Sequence, residues 1–447
     1  MIARPIEIVT SFLSRELCSA VFVSHLDPKQ DYAERHAPRP GMAWLNWAVR
    51  YDIDRSRKEA TVSILGFFQR RAAYREGFGT ITIRGPVPAE LSFAGEDASV
   101  EGRCECIVPE IAGPAVVEAS DPLLRESIDQ AFAEPRRPPF RRTKAVVVIH
   151  EGRVVAERYA PGFGIHTRIL GYSDAKSVVS ALIGVLVRQG RLSIDTPAPV
   201  PEWANPADSR HGITIDHLLR MTSGLSISDS NSPVDRVARM IFLERDMARY
   251  AATCRLCAVP GNEWEYSSGN TMILSRIVRD SVGGRAIDVL RFARRELFQP
   301  VGMRDVTIEF DATGSPIGST YLYATARDWA RFGMLYLDDG VVQGRRILPE
   351  GWVRYSSMPT LNTGYGAGFW TNRIQGEVPK LHIPWSIPGA PEDTISARGN
   401  MGQFVIVIPS KRLVIVRFGL SHSRDMDHSG VGDLVTSVIA ALGNTAR

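Results

Sequence analysis

Three short stretches of the chain carry side chains suited to acyl transfer. The first is Tyr172-Ser173-Asp174-Ala175-Lys176, the only S-x-x-K spacing present, although the chain has six lysines. Residues three apart on a helix share a face. A serine in the first turn therefore has its Oγ beside the amine one turn on. The helix start also offers unpaired N–H groups and the positive end of the helix dipole, and both favour an oxyanion. The plain alternative is a capping serine followed by a solvated lysine. Against it stands the apolar run that follows, in which an unpaired lysine is costly to bury.

The second stretch is Trp264-Glu265-Tyr266-Ser267-Ser268-Gly269-Asn270. A nearby ammonium lowers the pKa of a phenol, because opposite charge favours the ionised form. Such a phenol can act as general base for a serine. On its own, Tyr266 reads as a loop tyrosine packed on its ring. The third stretch, Ser396-Ala397-Arg398-Gly399-Asn400-Met401-Gly402-Gln403, leads into a strand. Its glycines let the backbone approach a ligand, so an N–H group here is a candidate second oxyanion donor. Alone it is an ordinary turn.

Elements must hold these stretches in place. After Ser173, apolar residues recur in threes and fours through Val178, Val179, Leu182, Ile183 and Leu186, which predicts a buried helix over residues 173–188. Gly190 is placed to end it. Residues 144–150 and 154–159, split by Glu151-Gly152-Arg153, read as a strand, a tight turn and a strand. Residues 403–408 and 413–418 repeat that pattern around Pro409-Ser410-Lys411. Helical periodicity dominates the middle, at 215–221, 271–282 and 325–337, and helices are predicted at 122–132 and 432–442. Residues 59–68 and 71–84 look like short strands. Strands at both ends around a helical middle predict an antiparallel sheet with helices on it and an inserted helical lobe.

Bulk composition excludes several classes. The 447 residues are 44% hydrophobic and 23% charged, an ordinary globular mixture. A net charge of +4 from 53 basic and 49 acidic residues, interspersed, gives no stripe for nucleic acid. The one basic cluster, Arg136, Arg137, Arg141, Arg142 and Lys144, lies in a Pro-rich connector. The five cysteines, Cys18, Cys104, Cys106, Cys254 and Cys257, include one C-x-x-C pair without a second pair of ligands at metal spacing, so ordinary thiols are expected and no metal. Arg4, Glu7, Arg15, Glu16, Asp27 and Lys29 interrupt the first thirty residues, so no signal peptide is visible. No apolar run is long enough to span a membrane. A soluble chain is expected, cytoplasmic by default and periplasmic if an upstream segment was removed.

The three stretches, in this order and at these separations, resemble the family of class C β-lactamases, penicillin-binding carboxypeptidases and related esterases, with the 6-aminohexanoate-dimer hydrolases as the nearest subgroup. Other segments match too: His217-Leu218-Leu219-Arg220-Met221-Thr222-Ser223-Gly224-Leu225, Pro260-Gly261, residues 323–333 and Gly368-Phe369-Trp370. The similarity covers about residues 140–420. It implies an α/β (α+β) fold of the β-lactamase/transpeptidase type. Residues 116–447 are then the hydrolase domain, with a helical lobe at about 180–345, and residues 1–115 an N-terminal extension packed on it. It implies a serine hydrolase acting on amides or esters, with Ser173 as nucleophile and Lys176 and Tyr266 as its partners. The backbone N–H groups of Ser173 and Asn400 would hold the oxyanion, with Gly399, Ser268 and Trp370 beside the substrate. No cofactor is implied. The expected partner is a small amide or ester substrate, with a homodimer as a possible assembly.

Two departures bear on substrate. Class C β-lactamases carry Tyr-x-Asn where this chain has Ser268, and Lys-Thr-Gly where it has Ala397-Arg398-Gly399. Arg398 is offset by one position, and neighbouring strand residues point to opposite faces. β-Lactams are therefore expected to be poor substrates. The alternatives within enzymes are a D-amino-acid peptidase or a weak β-lactamase; outside them, a non-catalytic penicillin-binding-like sensor or peptide-binding module. His217 reads as a core histidine, and Asp174 and Asp328 as helix-start or structural carboxylates. His166, Glu263 and Glu265 are lesser candidates for the cleft.

Overall fold

The computed structural model describes residues 3–83, 108–230, 232 and 235–444. In chain order it opens with helix α1 (Ala3–Phe22) and strands β1 (Val49–Asp54), β2 (Glu59–Ile64), β3 (Phe67–Arg75) and β4 (Gly79–Ile83). Helix α2 (Pro122–Phe132), strands β5 (Thr143–His150) and β6 (Arg153–Tyr159) and helix α3 (Ala175–Arg188) follow. Then come α4 (Ser268–Val282), α5 (Ala326–Leu337), the short strand β7 (Trp370–Thr371), β8 (Ile395–Gly399), β9 (Gln403–Ile408), β10 (Leu413–Gly419) and α6 (His428–Asn444). These elements fall into two compact units. One is Met1–Gly102, Ser193–Ala293 and Thr307–Tyr323; the other is Arg103–Leu192, Arg294–Val306 and Ala324–Arg447.

The second unit is built on a six-stranded antiparallel sheet in the order β7-β8-β9-β10-β5-β6. Its central strands are apolar without alternation because both faces are covered. Val146, Val148, Ile406, Ile408 and Ile415 pack with residues of α2 and α6, including Leu124, Ile128, Leu434 and Val438. On the other face α5 lies so close that a Cβ on Gly333 would stand 2.6 Å from Val414. The predicted strands and helices 143–159, 122–132 and 403–419 are found within one residue or so of expectation. The C-terminal helix is longer than the predicted 432–442.

The first unit includes α1 against a four-stranded antiparallel sheet β1-β2-β3-β4. The strand predicted over 71–84 divides into the end of β3 and β4, and Arg84 lies outside the described residues. Helix α1 is not apparent in the sequence, where Arg15 and Glu16 interrupt its apolar run. Both are buried. Arg15 Nε sits 2.7 Å from Glu309, its NH2 group donates to the Thr80 carbonyl at 2.7 Å, and Ser19 Oγ donates to the same glutamate at 2.5 Å. Burying a lone charge costs several kcal/mol, and a hydrogen-bonded partner offsets it. The partner lies 294 residues away.

Cys18 and Cys254 are buried free thiols and Cys257 is an exposed one. The Cys254 and Cys257 sulfurs face the carbonyls of Tyr250 and Gly224. Cys104 and Cys106 lie outside the described residues.

Candidate active site

Ser173 sits in a single 3-10 turn, Tyr172–Asp174, that runs directly into α3. Residues Ala175 to Leu186 of that helix are all buried. Its six aliphatic side chains Val178, Val179, Leu182, Ile183, Val185 and Leu186 each contribute roughly 1.5–3 kcal/mol of burial, so the helix is a firm base. Ser177 Oγ donates to the Gly368 carbonyl at 2.6 Å and Ser180 Oγ to that of Ala367 at 3.0 Å. These bonds tie α3 to the Gly368-Phe369-Trp370 segment. On this base Lys176 is only 3% exposed, and its Nζ donates to Ser173 Oγ at 2.9 Å. The solvated-lysine alternative is therefore not what the structure contains.

Backbone packing sets the other side of the turn. Tyr172 holds φ +46°, a left-handed conformation that a bulky residue rarely adopts. A Cβ on Gly171 would stand 2.4 Å from the Trp329 ring, and one on Gly399 would stand 2.1 Å from the Gly171 carbonyl oxygen. Gly399 is therefore required because β8 and the nucleophile turn touch main chain to main chain. Asn400 follows at the exposed turn, its Oδ1 accepting from the Met401 N–H at 2.9 Å and its carbonyl accepting from Gln403 Nε2 at 3.0 Å.

Arg398 lies on the opposite face of β8. Its Nε donates to Ser396 Oγ at 2.8 Å, and its NH1 group lies 3.1 Å from the Pro384 carbonyl and 3.2 Å from His428 Nε2. The guanidinium also stands over the Trp370 ring, 5.3 Å from its centre. Burial without a carboxylate lowers its pKa to about 9. Trp370 is itself buried, with Tyr365 and Trp385 against it.

Asp174 stands at the start of α3, as the sequence reading placed it, but its side chain makes no capping bond. Both its oxygens are buried without a hydrogen-bond partner. Burial pushes its carboxyl well above the usual range, with Lys176 opposing. Asp328, by contrast, is structural: its oxygens accept from the backbone N–H groups of Arg304 and Asp305, each at 3.0 Å. His166 is exposed and lines a surface pocket with Glu110, Arg153, Arg304 and Arg327.

Tyr266 and Ser268 belong to the other unit. There Ser267 caps α4, accepting from the Asn270 N–H at 3.3 Å. The residue that organises this loop was not among those singled out in the sequence. Asp229 donates its N–H to the Tyr266 carbonyl at 2.9 Å. Its carboxylate accepts from the Ser268 N–H at 2.6 Å and from Ser268 Oγ at 2.7 Å. The Ser268 hydroxyl proton is thus engaged. Ser223 Oγ donates to Asn270 Oδ1 at 2.8 Å, and Glu265 N–H to the Met221 carbonyl at 2.9 Å. These bonds explain why the Met221-Thr222-Ser223-Gly224 segment accompanies the tyrosine loop. Tyr266 is buried, Glu265 half-buried and Glu263 exposed. His217 is a capping residue rather than a core one. Its Nδ1 accepts from the Thr214 N–H at 3.2 Å, and Thr214 Oγ1 accepts from the His217 N–H at 3.1 Å.

Comparison with known proteins adds three findings. The family model described as Beta-lactamase matches residues 129–432. A curated relative, 6-aminohexanoate-dimer hydrolase of Paenarthrobacter ureafaciens, is 28% identical over 309 residues, which cover 64% of this chain and 74% of the relative. Among solved structures, a penicillin-binding protein homologue from Caulobacter crescentus superposes with a TM-score of 0.56 at 20% identity, over 73% of this chain and 99% of that one. A family VIII carboxylesterase also gives 0.56, at 16% identity, over 73% of this chain and all of that one. The structural likenesses show the fold.

Proposed function

From the premise that this chain belongs to the beta-lactamase family and is a serine hydrolase, we propose that it cleaves amides or esters through an acyl-enzyme on Ser173. The observation that carries the reading is the 2.9 Å bond between the buried Lys176 Nζ and Ser173 Oγ. A buried amine against a serine hydroxyl can accept its proton as the oxygen attacks a carbonyl carbon. Tyr266 enters as the third group because of its position in the family's order of motifs. The proton passes through Lys176 and Tyr266 to the leaving amine or alkoxide, and the carbonyl–heteroatom bond breaks. The negative charge on the carbonyl oxygen is met by the N–H groups of Ser173 and Asn400, which need no reorganisation as the charge develops. Water then attacks the acyl-serine, and its proton returns to Ser173 by the same groups.

The substrate reading is a short amide of the aminohexanoate type or a carboxylic ester. Support comes from the name of the 28% identical relative and from the absence of the Tyr-x-Asn and Lys-Thr-Gly patterns. The test is labelling with a fluorophosphonate, followed by turnover of p-nitrophenyl esters, aminohexanoate dimer and D-alanyl peptides measured side by side. Labelling confined to Ser173 and hydrolysis of the first or second substrate are expected. A chain that resists the probe and turns over none of the three is not an acyl-transfer enzyme of this kind.

A further inference from the structure

Two adjoining turns of the first unit expose an unusual amount of apolar surface. The segment before β1 presents Trp44 and Trp47, which are 84% and 68% exposed. The turn between β2 and β3, with the first residues of β3, presents Leu65, Phe67 and Phe68, at 57%, 71% and 40%. The turns are neighbours: the Leu65 N–H donates to the Ala48 carbonyl at 2.9 Å, and Val49 pairs with Ile64. Leu65 and Phe68 hold φ of +54° and +53°. A bulky residue adopts that conformation at a cost, here with its side chain left in water. Single exposed apolar residues need no explanation, but a cluster of five does.

Within the two turns and their immediate flanks the charged side chains are all arginines. Residues 37–50 and 60–71, which form the two turns and their flanks, include Arg39, Arg50, Arg70 and Arg71 and no aspartate or glutamate. Arg70 and Arg71 meet Glu7 and Glu59 from outside these segments. Arg50 has no acidic partner among the described residues; its guanidinium donates to the Trp47 carbonyl at 2.8 Å, which ties a cation to the main chain of that turn.

We propose that these two turns are a lipid-docking surface that seats the chain on an anionic bilayer. Tryptophan and phenylalanine settle at the boundary between headgroups and acyl chains, where an apolar ring and a polar edge are both satisfied. Arginines at that depth meet anionic headgroups. A second copy of the chain fits less well. A two-fold contact sets the same patch against itself, which brings arginines against arginines with no carboxylate in either turn. The surface lies outside residues 129–432, the part that matches the family. It therefore adds a location to the hydrolase rather than a step to its chemistry.

The experiment is co-sedimentation of the full chain with vesicles of equimolar phosphatidylcholine and phosphatidylglycerol, and with phosphatidylcholine alone. The chain should sediment with the anionic vesicles, more weakly with the neutral ones, and less as salt is raised. The triple variant Trp44→Ala, Trp47→Ala, Phe67→Ala should lose about tenfold or more in partitioning while keeping its rate on a soluble ester, which shows that it folds. A parent chain that stays in the supernatant overturns the proposal, as does a triple variant that binds equally well. Light scattering supplies the remaining outcome. If the parent is a dimer and the triple variant a monomer, the patch is an interface between copies and the lipid reading falls.

Discussion

Around Ser173 the chain is held mainly by close packing, whereas around Tyr266 it is held by a set of hydrogen bonds in which Asp229 makes three. In the first region Gly171 and Gly399 leave no room for a Cβ, and α3 anchors the turn through buried aliphatic residues and two serine bonds. In the second region three hydrogen bonds from Asp229 connect two loops. Close packing has few alternative arrangements, while a carboxylate can be removed with the loop otherwise intact. The groups proposed to share one proton-transfer step therefore depend on very different supports.

The comparison breaks first at the nucleophile. Ser173→Ala should lower kcat/KM by about a thousandfold or more with no loss of folding, because one hydroxyl contributes little to stability. Normal turnover by this variant, measured on an ester the parent accepts, would remove Ser173 from the mechanism. Next come Lys176→Ala and Tyr266→Phe. If the two regions act as a unit, the double variant should be hardly worse than either single one. Additive losses would show that they serve separate steps.

The supports themselves give the next test. Asp229→Ala should cost about a hundredfold in kcat, with KM changed less, and Asp229→Asn should restore part of it, since an amide oxygen still accepts from Ser268. An alanine variant with parental kcat would mean that the loop needs no such anchor. Substrate charge should matter less. Arg398 is held by Ser396, Pro384 and His428, so esters with anionic acyl groups should gain no more than about tenfold over neutral ones of equal length. Nitrocefin should be slower than a good neutral ester. A larger gain for anionic substrates, abolished in Arg398→Ala, would show a cationic contact with the acyl group.

The smallest effect concerns stability. Asp174 stays protonated in the folded chain well above the pH at which it ionises when unfolded. Above about pH 4 the unfolded state releases a proton that the folded state keeps, so stability contributed by this group falls as pH rises towards the folded pKa. Urea unfolding of the parent and of Asp174→Asn at pH 4 and pH 7 should show the parent losing more between the two. Parallel changes would mean that the Asp174 carboxyl is not held protonated by the fold.

Local spacing alone determined much of this protein. Ser173 and Lys176 are three residues apart, so any helix there puts them together. The alternation and apolar runs of residues 143–159 and 403–419 have no stable outcome but paired, covered strands. Gly399 is singled out by the family resemblance, because its stretch alone reads as an ordinary turn. Contacts with partners distant in the chain were settled by folding. Helix α1 depends on Glu309 to neutralise Arg15, and the Tyr266 loop depends on Asp229, 37 residues before it. Strand alternation set Arg398 off the substrate face, but only the structure shows Pro384 and His428 beside it. The sequence places Asp174 at the helix start, but not the burial of both its oxygens without a hydrogen-bond partner. Periodicity records which face of an element is buried; it does not record what that face meets, because side-chain partners are chosen by packing in three dimensions.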